Sequence, residues 1–95
     1  MGAVIKGLWM IRDKRDGSFM EYNRRHQGTS ATFTLNGTPR LFTGRGRAQS
    51  ALDWWLLGPH TIDSEGVPYP YGKLGTKRTA EAAFYEVVEV VVNLV

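Results

Sequence analysis

Residues 80–95 read AEAAFYEVVEVVVNLV, and the fold class turns on whether this stretch is helix or strand. Its alanines favour a helix. From residue 84 onward, however, a period of two places Val88, Val90, Val92 and Leu94 on one unbroken apolar face. Tyr85, Val87, Glu89, Val91 and Asn93 make a mixed opposite face. Valine density and this alternation outweigh the alanines, so residues 84–94 are expected to form a strand, with 80–83 as a candidate helical turn. A strand this hydrophobic makes a poor sheet edge unless something covers it. Its natural neighbour is the N-terminal segment.

That segment, residues 4–12, carries Leu8, Met10 and Arg12 on one face and Trp9 and Ile11 on the other. Both faces are largely apolar, as in a central strand. DKRDG at 13–17 supplies an Asp-Gly turn, after which 18–22 return as a second strand. NRRHQG at 23–28 reads as a polar loop. Residues 30–35 alternate, with Ala31, Phe33 and Leu35 on one side and Thr32 and Thr34 on the other. NGTP at 36–39 is a turn, and 40–43 read as a short strand.

In residues 45–57, Ala48, Ala51, Leu52 and Trp55 recur at helical spacing. Thr43 is the expected N-cap, and Gly58-Pro59 stops the helix. Residues 59–79 hold three of the four prolines and read as a long loop, a length that is usually functional or disordered. The expected architecture is a single α+β domain over 1–95. It has an antiparallel sheet of four to five strands and one helix packed on one face, in the order ββ(ββ)αβ.

Ninety-five residues with a 42% apolar share can bury one modest core. No apolar run reaches the roughly 20 residues of a membrane helix, and the basic residues near the start follow the apolar ones, the reverse of a secretion signal. These features lead us to expect a soluble, intracellular chain. The chain has no cysteine, so it holds neither a disulfide framework nor a thiolate metal site. The net charge of +3 is unevenly spread: residues 1–47 hold nine basic against three acidic residues, and residues 48–95 hold three against six. A basic half suits an acidic partner, either nucleic acid or an acidic protein face; it also serves simply to solvate the first hairpins.

Candidate contact residues fall in five places. Arg45 and Arg47 in TGRGR stand at the start of the helix, where cations oppose the helix dipole. They either serve an anionic partner or cover Trp54 with their aliphatic stems. Gly44 and Gly46 fit neither a dinucleotide fingerprint nor a P-loop, because the third glycine and the Lys-Ser/Thr are missing. Trp54 lies about 100° from Trp55 on the helix, so it is either a partly exposed anchor or part of a broad packed face. Arg24-Arg25-His26 could grip phosphates or simply be solvated. Tyr69 and Tyr71, on a proline-stiffened loop, suit stacking or protein recognition unless they fold back onto the sheet, and Lys77 and Arg78 could join the basic surface. No nucleophile elbow, acid–base pair or metal-ligand spacing is present, and His60, Asp63 and Glu65 do not make one. No enzyme activity, cofactor or metal is expected.

The run Arg40-Leu41-Phe42, then Ala48, Ala51-Leu52, Trp55 and Gly58, resembles a pattern in small accessory proteins of tailed bacteriophages. WMIRDKRDGSFM is similar to the first hairpin of such proteins, and Lys77-Arg78, Glu81 and the Val-Val-Glu-Val of 87–90 to their close. The resemblance implies a protein of the host cytoplasm that binds and inhibits a host machine, such as RNA polymerase, a nuclease or a CRISPR effector complex, with no membrane role and no catalytic residues. Direct nucleic-acid binding through Arg24, Arg25, Arg45, Arg47 and Arg78, and self-assembly through an open sheet edge, stand as alternatives.

Overall fold

A computed structural model of the protein describes residues 3–58, 60–62, 64–65, 68–70 and 78–94. The chain is α+β. In order it forms strands β1 (Ala3–Asp13), β2 (Phe19–Met20) and β3 (Phe33–Thr34), helix α1 (Arg45–Leu57), strands β4 (His60–Ile62) and β5 (Pro68–Pro70), and strand β6 (Tyr85–Leu94). Four strands make one antiparallel sheet in the order β3-β2-β1-β6, and β4 and β5 pair separately.

The closing stretch is extended, as its alternation predicts, and lies antiparallel to β1 from Asp13↔Tyr85 to Ala3↔Leu94. A 3-10 turn at Ala82–Phe84 leads into it, so the helix-favouring alanines end where the valines begin. The ladder is interrupted once. Ile5 faces Val92 and Leu8 faces Val90, so Lys6 and Gly7 together oppose the single residue Val91. Gly7 takes φ +82°, the conformation a bulge of this kind needs and that a side chain disfavours.

The 13–18 turn closes as its Asp-Gly pair predicts. Gly17 sits at φ +79° and donates to the Asp13 carbonyl, while Asp16 accepts from the Ser18 N–H. The middle of the meander differs from the sequence reading. Residues 28–30 form a 3-10 turn, and only Phe33–Thr34 pair as a strand. Residues 40–43 form no strand: Pro39 meets Glu21 and Phe42 meets Trp9 in single bridging pairs. The physical reason is a fork. The 38–42 segment donates from Arg40 to Met20 at one end and exchanges two bonds with Trp9 at the other, so it wedges between β2 and β1 where they diverge. Within the 59–79 segment, β4 and β5 form a short hairpin that the loop reading did not foresee.

The core joins Ile11, Met20, Ala31 and Phe42 to Ala48, Leu52, Trp55 and Leu56 of α1, with Trp9, Phe33, Tyr85 and Val87 packed around them. The N-cap of helix α1 is Gly44, not Thr43, and no side chain caps it. The Gly58 N–H closes the other end on the Trp54 carbonyl.

Candidate contact surface and its internal anchors

Trp55 organises the region behind the helix. Its ring makes edge contacts with Phe33 and Tyr85, at 5.0 Å from each, and its buried Nε1–H donates to the Ala31 carbonyl at 2.8 Å. That bond ties α1 to the segment following the 28–30 turn. Arg78 completes the tie. Its Nη1 donates to the Thr29 carbonyl at 2.8 Å and to the Trp55 carbonyl at 2.9 Å, and its guanidinium lies 4.2 Å from the Trp55 ring centre. Trp55 belongs to the last turn of α1, whose carbonyls lack intrahelical partners, so Arg78 acts as a C-terminal cap supplied from a distant part of the chain. Sequence reasoning grouped Arg78 with an outward basic surface; in the structure its guanidinium is engaged inside.

Two further arginines are also spent on the fold. Arg12 pairs with Glu86 across the β1–β6 ladder. Arg15 grips the buried Asp13 through Nε (3.0 Å) and Nη (2.8 Å), reaches the Tyr85 hydroxyl at 3.1 Å, and lies over the Phe84 ring. The Arg15 hydrogen bonds hold the Asp13 carboxyl below its usual 3.8, against the opposing pull of burial. Burial pushes the Tyr85 phenol up, and the Arg15 charge partly offsets it.

The remaining candidates lie outside this framework. Arg24 and Arg25 are exposed on the 23–27 loop, where Asn23 accepts from the Arg25 backbone N–H. Arg45 and Arg47 are exposed in the first turn of α1, with Arg45 lying 6.0 Å from the Trp9 ring. Among the described residues none of these four enters an ion pair. They do not form one surface. The 28–30 turn that follows the Arg24–Arg25 loop is tied to the C-terminal end of α1, whereas Arg45 and Arg47 mark its N-terminus, about 15 Å away along the axis. Trp54 is 48% exposed. Seven residues separate it from Arg47, so with Ser50 the two line one outer stripe of α1, about 10 Å apart. The sequence already suggests Arg45 and Arg47 as a cover for Trp54; the i, i+7 spacing places Arg47, and not Arg45, on its stripe.

Tyr69 lies in β5 opposite Thr61, while Tyr71 and Lys77 fall outside the described residues. Among the described residues no group of His, Cys, Asp or Glu is placed to hold a metal ion, and no helix is long and apolar enough to cross a membrane. No family model, curated protein or solved structure matches the chain.

Proposed function

We propose that this chain is a non-enzymatic accessory protein that acts by contact. In the tailed-phage setting its sequence resembles, it would bind and block a host protein machine with an acidic face, such as a CRISPR effector or another defence complex, in the host cytoplasm. The helix lying over the sheet would present the contact stripe. The observation that supports this reading is the outer stripe of α1, where exposed Arg47 and half-exposed Trp54 stand two turns apart. A tryptophan and an arginine at this spacing are the residue types that dominate interface hot spots, and a neighbouring acidic surface would also relieve the unfavourable first-turn cations. The Arg24–Arg25 loop extends the positive field toward the other end of the helix.

The test is capture of host lysate proteins on immobilised wild type, Arg47→Glu and Trp54→Ala, with each variant's fold checked by circular dichroism. A partner held by wild type should bind either variant at least about 30-fold more weakly, the loss expected on truncating a hot spot of about 2 kcal/mol. Equal capture by all three would refute the stripe. Tight binding to DNA or RNA at about 150 mM salt, with a steep salt dependence, would replace the protein partner with nucleic acid.

A further inference from the structure

The sheet ends in β6, a ten-residue edge strand. Its bonding direction follows from its neighbour. Trp9 exchanges both backbone bonds with Phe42, and the Asp13 N–H goes to Ser18, so beyond the bulge the odd residues from Trp9 to Asp13 face away from β6. The even residues Leu8, Met10 and Arg12 therefore bond Val90, Val88 and Glu86. The extra residue of the bulge lies on β1, so the alternation in β6 continues unbroken. Tyr85, Val87, Glu89, Val91 and Asn93 consequently aim their N–H and C=O groups at the open edge. Natural edges are guarded by charged side chains, proline, a bulge or a short strand. Within β6 the one charge unpaired among the described residues is Glu89, and there is no proline, lysine or bulge. Nearby apolar groups are left in water, with Val91 50% exposed, and Val4 and Ile5 exposed on the strand beside it.

The geometry points to a second copy of this chain as the occupant of that edge, joined by antiparallel β6–β6 pairing about a two-fold axis at Val90. Self-complementarity selects this register. Because odd residues face the edge in both copies, paired positions must sum to an even number. Two registers overlap over nine strand residues. One sets Glu89 against Glu89 of the second copy, which places like charges directly opposite. The other sets Glu89 against Val91, Val88 against Val92 and Val90 against itself, so that valines continue across both copies. Glu86 is neutralised by Arg12 and does not oppose either. A nine-residue strand pair is about 30 Å long and about 10 Å deep, or on the order of 300 Å² per partner, below the roughly 800 Å² of a standard stable interface. The dimer is therefore weak and concentration-dependent.

The chain has no cysteine, so single-cysteine variants report the register cleanly. At the axis, the two Val90 positions form a non-hydrogen-bonded pair with Cα atoms about 4.5 Å apart, within disulfide reach. Residue 88 of one copy lies four residues, about 13 Å, from residue 88 of the other. Under mild oxidation at about 100 μM, Val90→Cys should cross-link at least about tenfold faster than Val88→Cys. Light scattering of wild type should show the mass rising from 10.7 kDa toward twice that between about 10 μM and 1 mM. Val91→Pro removes only an edge-facing N–H, so it should stay monomeric with an unchanged circular dichroism spectrum. Equal cross-linking at 88 and 90 overturns the register. A wild-type monomer throughout the concentration range overturns the dimer, whatever else binds the edge.

Discussion

Arg78→Ala removes three contacts at once, and their worth can be estimated. Its two hydrogen bonds run from one nitrogen, Nη1, to the Thr29 and Trp55 carbonyls, so they share a donor and are weaker than two independent charge-assisted bonds. About 2 kcal/mol for the pair is reasonable for partly buried acceptors left with water as their only alternative. The guanidinium over the Trp55 ring adds about 1 kcal/mol. The total, about 3 kcal/mol, is a large share of the roughly 5–14 kcal/mol a chain of this length holds. It should lower Tm by about 12–24 °C. Arg78→Lys keeps the charge and one donor nitrogen but loses the planar stack, so it should fall between the two. Urea unfolding followed by tryptophan emission measures both variants. If Arg78→Ala shifts stability by less than about 1 kcal/mol, the cap is not holding the helix end, and Arg78 returns to the list of surface cations.

Three other perturbations probe the frame. Because Arg15 holds the Asp13 carboxyl below its usual 3.8, the contribution of that pair is complete above the unfolded value and fades as pH falls through the lower folded one. Urea midpoints between pH 7 and pH 2 should therefore drop more steeply for wild type than for Asp13→Asn; parallel curves would disprove the linkage. Gly37→Ala would set a Cβ 2.8 Å from Thr34 Cγ2 and 2.5 Å from Glu21 Oε1. Glu21 can swing away but the β-branched Thr34 cannot, so a loss of about 1–3 kcal/mol is expected in thermal melts. At Gly7 a new Cβ meets nothing within 4 Å, so Gly7→Ala isolates the backbone penalty of positive φ; it should cost about 1 kcal/mol, and a neutral result would deny the bulge.

The elements that the sequence announced are those whose signal is local. The 45–57 helix, the Asp16-Gly17 turn and the alternating valines of β6 each follow from neighbouring residues alone. The errors fell where partners distant in the chain decide. Residues 40–43 have strand-like side chains, but whether they pair depends on where β2 and β1 part, and the fork leaves room for single bridges only. Residues 30–35 alternate just as well as β6 does. Only Phe33–Thr34 of them pair as strand, because the Ala31 carbonyl is taken by the Trp55 indole and the Thr29 carbonyl by Arg78. An arginine that caps a helix end 23 residues earlier looks, in sequence, like any other cation. The available hint was the last turn of α1, which carries no cationic side chain of its own to meet its orphan carbonyls.

The same reasoning bears on charge. The first half of the chain is basic and the second acidic, which at sequence level suggests an outside anion. The topology answers part of that asymmetry internally. Because β1 lies beside β6, Arg12 of the basic half finds Glu86 of the acidic half, and Arg15 finds Glu81 as well as its own neighbour Asp13. What is left over is the relevant quantity for recognition: beside Lys6, Lys14 and an Arg40 that lies over the Phe42 ring, it gathers in two places, Arg24 and Arg25 on one loop and Arg45 and Arg47 on one helical turn. A charge imbalance between two halves of a chain therefore argues for a partner only after the strand pairing between those halves has been subtracted. Here the remainder still leaves two arginines in the one helical turn where the backbone dipole disfavours them, and that uncompensated electrostatic cost is the physical argument for an anionic surface beside α1.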